Sequence, residues 1–258
     1  MVEEKIKARY YVVMNIPIVI LHGWGASARS YDKLKPLLEQ KGISVFVFDL
    51  PGFGNEPSPP EAWAVDDYME WVKERIGQVE KIVLFGHSFG GRIAIKFAAK
   101  YPEKLAGLIL CDAAGITPRP KVKINLFGIM SKVGKIIFSW PILKYFQPIV
   151  RKIEYFLAGS RDYYYLQDPI MKDTFRKVIE EDLTPHLDKI KIPTLIIWGK
   201  KDKMTPVSDA YIMNKKIAGS KLEVLEGAGH SPHLECPERL SEIIEKFLTS
   251  LQNTLFHS

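Results

Sequence analysis

Ser88 lies in Gly86-His87-Ser88-Phe89-Gly90, a G-x-S-x-G pattern. In a strand-turn-helix setting such a pattern lifts a serine oxygen clear of a sheet and sets the next backbone N–H beside it. Glycines two before and two after the serine suit a turn in which a strand and a helix crowd together, so Gly86 and Gly90 are supporting residues. The modest alternative is that Ser88 only caps a helix after a glycine turn. A serine hydroxyl is a weak nucleophile unless a base takes its proton and a third group orients that base.

Six histidines are candidates for the base. His22 belongs to the turn His22-Gly23-Trp24-Gly25, His87 flanks the serine and is expected to point aside, His186 lies in a central insertion, and His257 is in the tail. His230 and His233 remain, both in the loop after the final apolar run. His230 is favoured because Gly227-Ala228-Gly229 gives it a flexible approach, and His233 then has a supporting role. The orienting acid belongs at the C-terminal end of a strand, where open α/β sheets build their sites. Asp202 and Asp112 both sit there and both give the chain order serine, acid, histidine. Asp202, in Gly199-Lys200-Lys201-Asp202, is favoured; Asp112 is expected to hold the loop into the insertion, and Asp49 to brace the bend Leu50-Pro51-Gly52-Phe53-Gly54.

The elements that must position these residues are short apolar runs alternating with helical patterns. Strands are expected at 9–13, 18–21, 43–48, 82–85, 105–110, 194–198 and 221–225, with helices near 31–40, 64–76, from Gly90 onward, 207–217 and 238–248. Pro36 should limit how early the first helix starts. The expected fold class is therefore α/β, a mostly parallel sheet with helices on both faces. The turn at Gly23 and Gly25 should offer backbone donors close to a ligand.

The composition narrows the function classes. At 258 residues, with 47% hydrophobic and 26% charged residues, the chain is an ordinary globular protein with a sizeable core. The net charge of +6 is concentrated: residues 119–152 hold eight Lys and Arg and no acid, and removing those eight from 36 leaves 28 basic against 30 acidic residues. That distribution does not suggest nucleic acid as a partner. Cys111 and Cys236 lack metal-site or disulfide-framework spacing, so no metal is expected. The lack of an apolar run of spanning length and of a signal-like start leads to the expectation of a cytoplasmic protein with no integral membrane segment.

The motifs HGWG, DLPGFG, GHSFGG, GKKDKMTP and GAGHSPHLECPE, in this order, resemble the α/β-hydrolase superfamily across nearly the whole chain. The resemblance implies an α/β-hydrolase core over 1–115 and 188–258, with a helical cap over 116–187 inserted after the sixth strand. It implies a triad of Ser88, Asp202 and His230, an oxyanion hole from the backbone N–H groups of Trp24 and Phe89, a supporting place for His22 and Gly23, and no cofactor. Such folds often open with an extra edge hairpin, and here the first strand is expected to be missing or shortened. The serine at the elbow sets the chain apart from dehalogenases and epoxide hydrolases of similar architecture, which carry an aspartate there.

The activity this resemblance implies is cleavage of carboxylic esters of short to medium acyl chains, with a small-molecule ester as partner. Hydrolysis of a carbon–carbon bond is a second reading, weakened by Ser231-Pro232-His233 where such relatives carry an aromatic residue. Arg92 is similar in place to a residue of menaquinone-synthesis enzymes that bind an anionic substrate. A non-catalytic ligand-binding homologue is the reading from another class. In the insertion, Leu126, Ile129, Met130, Val133, Ile136 and Ile137 recur at helical spacing, a second apolar run spans 142–157, and Tyr163, Tyr164 and Tyr165 follow. The bland account of its lysines is a solvated exterior. The sharper one is weak contact with anionic substrates or a membrane surface.

Overall fold

The computed structural model describes residues 16–116 and 168–257, with side chains described up to Leu251. The strand expected over 9–13, the apolar runs at 126–137 and 142–157, the tyrosines at 163–165 and the basic stretch 119–152 lie outside the described residues.

Six parallel strands form one sheet: β1 (Ile18–Leu21), β2 (Val45–Phe48), β3 (Ile82–His87), β4 (Leu105–Cys111), β5 (Thr194–Gly199) and β6 (Lys221–Leu225), in the spatial order β2-β1-β3-β4-β5-β6. The reversal of strand order falls between β1 and β3, beside the strand that carries the serine turn. In open α/β sheets, ligands bind at the carboxyl ends of strands near such a reversal. β3, β4 and β5 are buried along their whole length, which is why they read as unbroken apolar runs.

Alternate residues of these strands feed two cores. Leu21, Leu84, Leu110 and Trp198 pack on one face against α2 (Val65–Ile76), α3 (Phe89–Lys100) and α6 (Val207–Lys216). Ile20, Phe85, Ile109 and Ile197 pack on the other against α1 (Leu34–Glu39) and α8 (Pro237–His257). α4 (Pro169–Glu180), α5 (Thr184–Leu187) and α7 (Pro232–Glu235) complete the described helices.

Two boundaries differ from expectation for physical reasons. The first helix begins at Leu34 after a 3₁₀ turn over Ala28–Tyr31, and Pro36 is its third residue. A proline is tolerated there because the N–H it lacks would have no intrahelical acceptor. The last helix runs on to His257, since no glycine or proline follows Pro237. Among the described residues no helix is long and apolar enough to cross a membrane.

The described end of the insertion, 168–187, leads into β5 and is tied to the residues just before α2 and just after β4. Trp63 N–H donates to Thr174 Oγ1 at 3.1 Å, Lys177 Nζ to the Ala62 carbonyl at 2.5 Å, and Leu183 N–H to the Gly115 carbonyl at 2.9 Å.

Candidate active site

β3 ends in the serine turn, and the packing there explains its composition. Ser88 has φ +51° and ψ −112°, a conformation that L side chains rarely adopt. A Cβ on Gly86 would sit 2.5 Å from the Gly90 carbonyl oxygen, and one on Gly90 would collide with the backbone of Leu21. The strained turn is tied on three sides: Ser88 N–H donates to the Cys111 carbonyl at 3.3 Å, Gly90 N–H to the His22 carbonyl at 3.1 Å, and Ala114 N–H to the Ser88 carbonyl at 2.9 Å. Phe89 is the first residue of α3, so its N–H has no intrahelical acceptor. Trp24 N–H has no acceptor among the described residues.

The structure brings Ser88, His230 and Asp202 together from three separate loops. His230 Nε2 is 3.0 Å from Ser88 Oγ, and His230 Nδ1 is 2.7 Å from Asp202 Oδ2. The Asp202 side chain is fully buried while that of His230 is 16% exposed. Burial alone would raise the Asp202 pKa. The hydrogen bonds from His230, from the Thr205 hydroxyl at 2.6 Å and from Met204 N–H at 2.7 Å outweigh it and hold the carboxyl at about 2. A hydroxyl, an imidazole and a carboxylate chained in this order can pass the hydroxyl proton to the imidazole while the carboxylate steadies the cation that forms.

Asp112 is not part of the loop into the insertion in the way expected. It sits at the end of β4 with φ +44°, fully buried, and its Oδ1 accepts from Gly199 N–H at 2.9 Å. Burial, reinforced by the neighbouring Asp202 carboxylate, pushes its pKa up to about 8. Among the described residues Asp112, Asp202 and His230 are the group that could offer three ligands to a metal. A cation there would have to displace the hydrogen bond between His230 and Asp202.

His22 supports the Trp24 turn from below. Its Nδ1–H donates to the Gly23 carbonyl at 2.8 Å and its Nε2 accepts from Leu50 N–H at 3.0 Å, so both ring nitrogens are used. Burial lowers its pKa, in keeping with a neutral ring. Asp49 does brace the following bend: Oδ1 accepts from Ala28 N–H at 2.6 Å and Oδ2 from Asn55 N–H at 2.9 Å.

Beside Ser88 stands an aromatic wall. The Trp24 ring centroid lies 4.9 Å from Phe53, 5.2 Å from Phe89 and 4.9 Å from Phe175 of α4, and Tyr68 meets Phe89 edge-on at 5.0 Å. Phe53, Phe89 and Phe175 are each less than 9% exposed, so the rings fill the space between β1 and the end of the insertion.

Two contributors were missed at the sequence level. Thr205 is the first, and the Asx-turn in which Asp202 Oδ1 accepts from Met204 and Thr205 N–H groups is a pattern an Asp followed by a short polar loop can signal. His87 is the second. It points beneath the His230 loop, donating from Nε2 to the His230 carbonyl at 2.7 Å, and no local pattern announces that contact.

The family described as "Alpha/beta hydrolase family" matches residues 18–243. The chain is 30% identical to a proline iminopeptidase of Saccharolobus solfataricus, over 91% of this chain and 85% of that protein. It is 27% identical to a pimeloyl-[acyl-carrier protein] methyl ester esterase of Aeromonas hydrophila, over 90% and 94%. An esterase from Exiguobacterium antarcticum superposes with a TM-score of 0.71 at 25% identity, over 91% of this chain and 92% of that one. With this match over most of its length, and with the sheet and elbow described above, the chain belongs to the alpha/beta hydrolase family.

Proposed function

We propose that the protein is a serine hydrolase cleaving carboxylic esters of short to medium acyl chains. The observation that carries the reading is the continuous hydrogen-bonded chain from Asp202 through His230 to Ser88, at 2.7 and 3.0 Å. Ser88 Oγ attacks the ester carbonyl carbon as His230 Nε2 accepts its proton, and the carbonyl electron pair moves onto oxygen. The N–H groups of Trp24 and Phe89 receive that oxyanion, where one donor is commonly worth about 3 kcal/mol in the transition state. Collapse expels the alcohol, which takes the proton from His230 and leaves an acyl-enzyme. Water, deprotonated by His230, then releases the acid and restores Ser88. Asp202 stays ionised throughout, in keeping with its low pKa.

The ester reading draws support from the esterase relatives, and the aromatic wall beside Trp24 offers apolar contact for an acyl group. Residues 116–187 act as the cap in this reading, with α4 closing the site at Phe175. Hydrolysis of p-nitrophenyl esters from acetyl to palmitoyl tests it. A rate maximum at acetyl to octanoyl is expected. Failure of the folded protein to turn over any ester would overturn it.

A further inference from the structure

His87 is joined by its peptide bond to Ser88, yet its imidazole reaches the two other segments of the site. Its Nε2 lies 2.7 Å from the His230 carbonyl oxygen, so that nitrogen carries the proton and donates. Its Nδ1 edge faces Gly23, where a Cβ would come within 3.0 Å of Nδ1 and 3.3 Å of Ser88 Cβ. The ring meets His233 edge-on at a centroid distance of 4.6 Å, and His233 in turn stacks on Tyr31 at 4.5 Å. All three of these side chains are at most 4% exposed. One rigid imidazole is thus wedged between the serine turn, the Gly23 turn and the loop that presents His230.

We infer that His87 is a positioning residue, whose Nε2–H bond to the His230 carbonyl fixes the base loop at the distance from Ser88 that proton transfer requires. The other ties of the His230 loop reach its ring and its flanks: His230 Nδ1 lies 2.7 Å from Asp202 Oδ2 and 3.3 Å from the Thr205 hydroxyl, and the Ala228 carbonyl accepts from Lys201 N–H at 2.9 Å. Two N–H groups flanking it, of Gly229 and Ser231, donate to the Glu235 carboxylate at 2.6 and 3.0 Å on its exposed side. On the buried side His87 is the partner of the His230 backbone carbonyl, so it holds the main chain that carries the base. Burial, together with the nearby His233 and His230 rings, keeps His87 well below the ordinary histidine pKa. The donor arrangement therefore persists throughout the neutral range. A displacement of about 1 Å at a reacting group can cost on the order of a hundredfold in rate.

The inference rests on the serine-hydrolase reading, so the test is one that separates the two. An alkyl fluorophosphonate reacts with an activated serine whatever the natural substrate. Ser88 Oγ forms a bond to phosphorus, fluoride leaves with the P–F electron pair, and His230 takes the proton. Labelling of wild type, His87→Phe, His87→Gln and His87→Asn is followed by intact mass, with Ser88→Ala as control and thermal unfolding of each variant recorded. Gln places an amide N–H where His87 Nε2 stands, Asn carries the same amide too short to reach the carbonyl, and Phe keeps the ring without a donor.

The maximal labelling rate of His87→Phe and His87→Asn should fall roughly tenfold to a hundredfold with little change in the half-saturating probe concentration, and His87→Gln should recover to within a few-fold of wild type. Should His87→Phe fail to fold, the Gln and Asn pair carries the same comparison. Ser88-dependent labelling that is unaffected in His87→Phe or His87→Asn, or a folded His87→Gln as slow as His87→Asn, would overturn the inference alone. Absence of labelling in the wild type, or its persistence in Ser88→Ala, would overturn the serine-hydrolase reading and the inference with it.

Discussion

Asp112 and Asp202 end adjacent strands, and their carboxylate oxygens lie with a His230 ring nitrogen inside a 4.8 Å cluster. Two carboxyls so close do not both ionise readily. Burial and the neighbouring Asp202 push Asp112 up to about 8, while the hydrogen bonds of Asp202 outweigh its own burial and hold it at about 2. The environment thus shifts the two acids in opposite directions.

That separation makes the two asparagine variants unequal. Asp202→Asn removes the charge that steadies the imidazolium and should lower kcat by on the order of 10⁴-fold. Asp112→Asn replaces a carboxyl that does not touch His230 with an amide whose carbonyl can still accept from Gly199 N–H, and should leave most of the activity at pH 7. Steady-state rates of the two variants check this, and the reverse ranking would move the orienting role to Asp112.

The same shifts predict how stability responds to pH. Asp202 has a folded pKa below its unfolded value of 3.8, so its contribution is present above about pH 4 and is lost as pH falls toward 2. A shift of this size corresponds to about 2 kcal/mol. Asp112 has the opposite sign: the folded state binds its proton more tightly, so stability declines as pH rises from about 4 to 8. Chemical denaturation across pH 3 to 9 should show Asp202→Asn flattening the acid limb and Asp112→Asn flattening the decline toward pH 8.

The serine turn tolerates no added methyl group. Gly90→Ala drives a Cβ into the Leu21 backbone, which cannot swing aside as a side chain could. Overpacking of this kind costs about 1–3 kcal/mol and should displace Ser88 as well. A lower Tm together with a loss of kcat is expected, whereas Gly42→Ala, at a position with open space around it but φ +76°, should lower Tm without affecting kcat.

Lys96 illustrates a buried charge held by partners that water reaches. Its ammonium in α3 lies 2.6 Å from both Asp66 and Glu181, with side-chain exposures of 7% for Lys96, 59% for Asp66 and 29% for Glu181. Replacing it by Met keeps the apolar stem and leaves two acids able to rehydrate, so the loss should be about 1 kcal/mol in urea denaturation.

The sheet was legible in the sequence because β3, β4 and β5 are buried on both faces, which leaves unbroken apolar runs between glycine-marked turns. Strand ends and chain order narrowed the acid to Asp112 or Asp202, and the motif resemblance pointed to Ser88, Asp202 and His230, which the structure brings within hydrogen-bond distance. What escaped notice were contacts made across the fold. His87 meets a backbone carbonyl 143 residues away, and the pKa of Asp112 is raised by burial and by the Asp202 carboxyl beyond the end of the neighbouring strand. Neither has a spacing that could reveal it. The first helix starts at Leu34, later than the expected 31, because the residues before it form a 3₁₀ turn over Ala28–Tyr31, and Pro36 falls in its first turn, as its limit on the start requires.

The central claim is that Ser88, activated through His230, is the nucleophile. Hydrolysis of p-nitrophenyl butyrate by wild type and by Ser88→Ala of equal Tm tests it most directly. The account predicts turnover by the wild type and a fall in kcat on the order of 10⁶-fold in the variant. A Ser88→Ala protein that retained near wild-type kcat would contradict it and would place the nucleophile elsewhere.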